Sequence, residues 1–304
     1  MLLFLEQVLN GLQFGVMLFL LAAGLTLVFG IMGLINLAQG SLYMVGAFAA
    51  AFTANYTGSF LLGLLGGLAA AALVGMAMEY LILRRLYARD HLDQVLATFG
   101  LILFFNQAMV MLFGRQPLRA EIPPFLSGSV EIIPGVPYPI YRRAIILVGI
   151  LVAFGLYLII QRTRIGMLVR AGATSRDMVR ALGVDIRLLY TAVFGLGALL
   201  AGLAGALAGP VFSVQVGMGD QILITTFVVI VIGGVGSIRG AVAGALLVGL
   251  VDTLTRAFLP GILKTFMSAS DADGFGGGLS SMAIYLLMAV VLLWRPRGLF
   301  PAHG

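Results

Sequence analysis

Residues Met1–Gly30 read MLLFLEQVLNGLQFGVMLFLLAAGLTLVFG, and this stretch decides the class of fold. It has no positively charged n-region, and its apolar run is longer than the roughly 7–15-residue core of a signal peptide. It therefore reads as a membrane span over about Leu5 to Gly30, retained in the mature protein. The rest of the chain repeats the theme. Of 304 residues, 61% are hydrophobic and 10% charged, and the mean hydropathy is +1.10. A water-soluble core has no room for that much apolar surface, and several runs approach or exceed the roughly 20 residues that cross a bilayer as a helix.

Further spans are expected at about Asn36 to Tyr56, Phe60 to Leu83, Val95 to Phe113, Ala144 to Ile160, Leu189 to Pro210, Ile222 to Gly236, Gly240 to Leu259 and Leu279 to Trp294. The fold class is an all-α polytopic membrane protein with about nine transmembrane helices, eight to ten, in a single domain over 1–304. Sorting cations by loop gives an orientation. Arg84, Arg85, Arg89, the six arginines of loop 161–188, Arg239, Arg295 and Arg297 share one side, twelve in all against six on the other. Excess cations mark the cytoplasmic face, which places the N-terminus outside and the C-terminus inside.

Composition also excludes chemistry. The net charge of +6 is a matter of topology, and no nucleic-acid partner is implied. There are no cysteines, so thiol nucleophiles, disulfides and thiolate metal sites are ruled out. His91 and His303 are too far apart in sequence to suggest a metal pair. The one lysine, Lys264, does not sit in a G-x-x-x-x-G-K-[ST] phosphate loop. If ATP drives the protein, another subunit binds it. No catalytic or metal site is expected in this chain.

The longest polar interval, Gln161 to Leu188, carries Arg162, Arg164, Arg170, Arg176, Arg180 and Arg187. It holds the pattern of a short helix, with Ser175 as N-cap, Asp177 in the first turn and Gly183 at C′. Met178, Val179 and Leu182 would share one side of it. Two readings stand: a helix lying on the headgroups, or a contact surface for a soluble partner that pushes on the membrane helices. Outward loops are expected at 114–143, proline-rich and rigid, and at 260–278, acidic and glycine-rich.

Three glycine-bearing stretches follow. In Gly30–Phe48, Asn36 and Gln39 are amides in an apolar setting, so both should face protein or a polar path. Gly205 and Gly209 form a GxxxG pair, and Gly236, Gly240 and Gly244 continue that spacing, as helix packing or a hinge requires. Val28–Gly46 and Val231–Gly249 echo one another weakly, as a span, a glycine break and a return. Asp252 with Arg256, and Glu79 with Arg84, are expected to form structural ion pairs.

The succession NLAQGSLYMVGAF, RALGVD, GGVGSIRGAVAGA and RPRGLF, in this order and spread over the chain, resembles the LivH-type permease family of branched-chain amino-acid ABC importers. The resemblance implies an importer permease fold in the bacterial inner membrane and a second, homologous permease subunit. It also implies two cytoplasmic ATPase subunits holding ATP and Mg, and a periplasmic substrate-binding protein. In that family the RALGV region, here Arg180, Ala181, Leu182, Gly183 and Val184, resembles the element coupled to the ATPases, although a Glu-Ala-Ala pattern is missing here. With the capped helix pattern of Ser175, Arg176, Asp177, Met178 and Val179, the expected coupling element runs from Ser175 to Val184. Asn36 and Gln39 are then candidates for the translocation path. Alternatives are a related ABC permease for urea, amides or other amino acids, and a stand-alone channel or secondary transporter. A membrane enzyme fits poorly, since no paired-carboxylate or His constellation lies in the spans.

Overall fold

The computed structural model describes residues 2–34, 36–87, 89–133, 136–174, 179–180 and 183–300. The chain is helical almost throughout: α1 (Leu2–Met32), α2 (Gln39–Thr57), α3 (Phe60–Leu81), α4 (His91–Phe113), α5 (Ile140–Arg162), α6 (Arg164–Thr174), α7 (Ile186–Phe212), α8 (Met218–Gly233), α9 (Ile238–Leu263) and α10 (Ala269–Trp294). Each of the nine expected spans falls on one of these helices. Among the described residues, seven helices are long and apolar enough to cross a membrane. The two expected spans outside that set differ for separate reasons. Helix α8 has only 16 residues, about 24 Å at 1.5 Å per residue. Helix α2 carries Gln39, Ser41, Thr53 and Asn55 and buries its first half inside the protein.

The chain divides into two compact units, residues 1–19, 124–150 and 225–304, and residues 20–123 and 151–224. In the second unit, α2, α3 and α7 meet at glycines. A Cβ on Gly67 would lie 2.6 Å from the Gly46 carbonyl oxygen, and one on Gly46 would overlap the backbone at Gly202. Between lipid-covered helices the hydrophobic effect supplies no attraction, so close backbone approach and dispersion hold the trio together. Ser59 opens α3, its Oγ accepting the Leu62 N–H at 3.5 Å. Leu118 and Val214 exchange backbone hydrogen bonds at 2.8 and 3.3 Å, tying the stretch after α4 to the stretch after α7.

The first unit uses the same device: a Cβ on Gly15 of α1 would sit 2.8 Å from the Ala245 carbonyl oxygen of α9. A two-stranded hairpin, β1 (Ser129–Ile133) and β2 (Val136–Pro139), leads into α5. Tyr138 on β2 is buried, and its hydroxyl donates to the Leu9 carbonyl at 3.1 Å. Burial raises the Tyr138 pKa to about 12. The RPRGLF segment folds back on α8, with Leu299 and Phe300 N–H groups donating to the Ile232 and Gly233 carbonyls, both at 2.9 Å. Those two acceptors are C-terminal carbonyls that the helix leaves without internal donors.

Two boundaries differ from the sequence reading. Most of 260–278 is helix, because α10 starts at Ala269 rather than Leu279. Ser268 caps it, accepting the Asp271 N–H at 3.3 Å and donating to the Asp271 carboxylate at 2.6 Å. Of the three glycines that lower helix propensity there, Gly276 packs closely, since a Cβ on it would be 3.0 Å from Pro260, while a Cβ on Gly277 or Gly278 would meet open space. The stretch 114–143 likewise contains the hairpin and the first turn of α5. The two echoing stretches share one backbone feature, since the aligned Gly33 and Gly236 adopt φ of 62° and 84°, a region that disfavours any side chain with a Cβ.

Candidate functional site

The polar interval between α5 and α7 is built around a helix that the sequence reading missed. Thr163 follows α5 directly, and its Oγ accepts the Gly166 N–H at 3.1 Å, capping α6. Gly166, Val169 and Gly172 are buried at i, i+3 and i+6, while Arg164 and Arg170 are exposed. The buried stripe faces the protein: a Cβ on Gly172 would be 3.7 Å from Leu189 of α7 and 3.9 Å from Ile31 of α1. The signal was Thr163 as N-cap ahead of small and apolar residues at helical spacing, hidden by the arginines between them.

Of the expected coupling residues, Ser175, Arg176, Asp177, Met178, Ala181 and Leu182 lie outside the described residues. The other four define a helix end. The Gly183 N–H donates to the Arg180 carbonyl at 3.0 Å and the Val184 N–H to the Val179 carbonyl at 3.4 Å. With Gly183 at φ 82°, these are the paired bonds of a Schellman motif, and Gly183 is its C′ residue. Val179 is buried, Val184 half-buried and Arg180 exposed. Asp185 then opens α7, its carboxylate accepting the Arg187 and Leu188 N–H groups at 2.9 and 3.4 Å. One helix end and the next helix start are thus fixed within seven residues.

Beside this segment lies a buried carboxylate. Glu79, at the end of α3, is fully buried. It accepts from the Tyr87 hydroxyl at 2.7 Å and the Thr191 hydroxyl at 2.6 Å, and pairs with the Arg84 guanidinium at 3.3 Å. Arg84 also donates to Thr191 Oγ1 at 2.8 Å and lies over the Tyr80 ring at 4.6 Å. Burial first, and then the bond to the Glu79 carboxylate, push the Tyr87 pKa well above its ordinary value, so the hydroxyl stays protonated and donates. The network ties the end of α3 and the α3–α4 link to the first turns of α7, next to Asp185. The Glu79–Arg84 pair was legible in the sequence; the roles of Tyr87 and Thr191 were not, because Thr191 is 112 residues from Glu79.

Asn36 and Gln39 come together in a relay. Both are fully buried. Asn36 Oδ1 accepts the Ala38 N–H at 3.1 Å, Asn36 Nδ2 donates to Gln39 Oε1 at 3.3 Å, and Gln39 Nε2 donates to the Gly197 carbonyl of α7 at 2.9 Å. In this conformation the amides fasten the α1–α2 break to the middle of α7. Both therefore face protein, one of the two options that the cost of an unmet amide in lipid leaves open.

The expected packing glycines divide in two. A Cβ on Gly205 would overlap the Tyr43 carbonyl of α2, one on Gly240 the Gly233 carbonyl at the end of α8, and one on Gly244 would be 2.5 Å from the Val229 carbonyl. Gly209 is looser: a Cβ there would meet only side chains, Val214 Cγ2 at 3.0 Å and Ala120 Cβ at 3.3 Å. Gly236 serves the turn before α9. A pair that the sequence reading did not single out joins α4 to α8: Asn106 Nδ2 donates to Asp220 Oδ2 at 2.9 Å. A polar residue inside the apolar run LILFFNQAMV was the signal.

Comparison with known proteins adds the family. The model of the branched-chain amino acid transport system / permease component family matches residues 7–293. The chain is similar to the high-affinity branched-chain amino acid transport system permease protein BraD of Pseudomonas aeruginosa, 31% identical over 97% of this chain and 95% of that protein. It is also similar to LivH of Escherichia coli K12, 27% identical over 97% of this chain and 95% of that protein. Its similarity extends to LivM of the same organism, 27% identical over 93% of this chain and 67% of that protein. No solved structure matches.

Proposed function

The chain belongs to the branched-chain amino-acid transport system permease family, and on that premise we propose that it is the membrane-spanning subunit of an ATP-driven importer of leucine, isoleucine and valine. The observation that carries the reading is the family match over residues 7–293. It works by alternating access in the bacterial inner membrane, with the N-terminus outside and the C-terminus in the cytoplasm. Its partners are a second, homologous permease subunit, two cytoplasmic ATPase subunits that hold ATP and Mg, and a periplasmic binding protein that delivers the amino acid. Similarity to both LivH and LivM supports a pair of related permeases.

Residues Ser175 to Val184 are the contact that the ATPases move. Two features support this role: the Schellman end at Gly183 and the Asp185 cap give the segment a fixed connection to α7. The Glu79 network then links α7 to α3. A displacement of the segment would pass to two helices that meet α2 at glycines, and α2 begins at Gln39, the second amide of the Asn36–Gln39 relay. Rearrangement of that relay opens the path, with the two amides exposed to it in the inward-facing state. The test is Arg180→Glu in the assembled complex. The variant should insert and assemble with the second permease, yet lose uptake and stimulation of ATP hydrolysis. Normal uptake by Arg180→Glu would remove the segment from the coupling path.

A further inference from the structure

Arg180 and Arg187 face a cavity of about 650 Å³, lined among the described residues by Arg84, Tyr87, Asp185 and Tyr190 as well. Its charges are unevenly matched. Arg84 is paired with Glu79, and the Asp185 carboxylate is taken up in capping α7. Arg180 and Arg187 have no carboxylate within ion-pair distance among the described residues, and a guanidinium remains charged at any physiological pH. Among the described residues the cavity therefore presents two positive charges without an ion-pair partner, with planar donors suited to a phosphate.

Its surroundings decide the kind of phosphate. Leu188, next to Arg187, is 70% exposed, and Tyr80 and Leu81, just before Arg84, are 62% and 58% exposed. These side chains belong to helices long and apolar enough to cross a membrane, and Tyr80 packs under Arg84 at 4.6 Å, so exposed apolar side chains flank residues that line the basic cavity. A soluble anion uses only the cavity; a phospholipid uses both, the headgroup in the cavity and the acyl chains along the flanking side chains. We propose that this cavity binds the headgroup phosphate of an anionic phospholipid, which steadies Arg180 and Val184 against the start of α7. The proposal rests on the membrane-spanning reading of the family and not on the cargo.

The test uses the full chain in detergent with labelled phosphatidylglycerol, labelled phosphatidylcholine and inorganic phosphate as probes, read as lipid retained per protein. Phosphatidylglycerol should be retained in preference to phosphatidylcholine. Arg187→Gln and Arg180→Gln should each weaken that retention about fivefold, as the loss of one basic side chain near an anionic surface would. Arg187→Lys should keep most of it, and Arg115→Gln, far away in sequence on the proline-rich stretch, all of it. The charge-preserving variant keeps the test informative if a glutamine variant fails to fold. Equal retention of the two lipids, or wild-type retention by the double glutamine variant, would overturn the proposal. Displacement of the lipid by millimolar inorganic phosphate would reassign the cavity to a free anion. Loss of the lipid whenever ATPase subunits bind would reassign it to a carboxylate of that partner. Because retention is read without transport, these outcomes are independent of whether leucine is the cargo.

Discussion

Replacing Glu79 with alanine should destabilise the protein more than any other single polar substitution in the unit that contains it. Removing one member of a buried ion pair costs about 3–5 kcal/mol when the other is stranded. Here Arg84 is 26% exposed, and it keeps the Thr191 oxygen at 2.8 Å and the Tyr80 face. Its charge is thus only partly stranded, which lowers the ion-pair share to about 1–2 kcal/mol. The Tyr87 hydroxyl loses its acceptor, adding about 1 kcal/mol. The expected cost is about 2–3 kcal/mol, a fall of roughly 5 °C or more in apparent melting temperature for a chain of this size. Thr191→Val removes one hydroxyl and should cost about 1 kcal/mol. The two losses share a contact, so the double variant should cost less than their sum by about 0.5 kcal/mol or more. The assay is the monodisperse fraction recovered by size-exclusion chromatography after heating. Melting of Glu79→Ala within a degree of wild type, or strict additivity with Thr191→Val, would refute the network as a structural tie.

Other substitutions separate packing from polar effects. Gly205→Ala should cut the folded yield sharply, because its Cβ meets the Tyr43 carbonyl and overpacking against backbone costs about 1–3 kcal/mol. Gly100→Ala, with nothing within 4 Å of its Cβ, should raise the melting temperature slightly through helix propensity, by up to about 1 kcal/mol. Gln39→Leu removes the side-chain donor to the Gly197 carbonyl and should cost about 1 kcal/mol in thermal stability, in line with hydrogen bonds between membrane helices, with a larger loss of uptake. Tyr138→Phe tests a pH effect. Folding raises the Tyr138 pKa to about 12, so above about pH 10 the unfolded chain sheds a proton that the folded one keeps, and stability falls as pH rises toward 12. Melting curves of Tyr138→Phe should lose part of that alkaline decline while starting lower at neutral pH.

The helices were legible because long apolar runs admit few alternatives: each expected span coincides with a helix, and the main disagreement, at the start of α10, arose where three glycines outweighed a serine cap in the reading. The amides were legible for the same reason, since Asn36 and Gln39 stand in an apolar run and need partners. Which partner they find was not legible: Gly197 is 158 residues from Gln39, and nothing local encodes that contact. The glycine stripes behaved alike. Their spacing shows that a face is smooth, while the meeting of Gly205 with Tyr43, or of Gly46 with Gly202, depends on helix crossing. Helix α6 was lost because Arg164 and Arg170 interrupt its small and apolar residues, although both lie on its exposed side.

The most direct measurement is leucine uptake into proteoliposomes holding this chain with the proposed second permease and ATPase subunits, with binding protein and leucine outside and ATP sealed within. Accumulation that requires ATP and the binding protein, and that Arg180→Glu abolishes, is the expected result. Uptake by this chain alone without ATP would contradict the importer reading and remove the docking role of residues 161–188 with it.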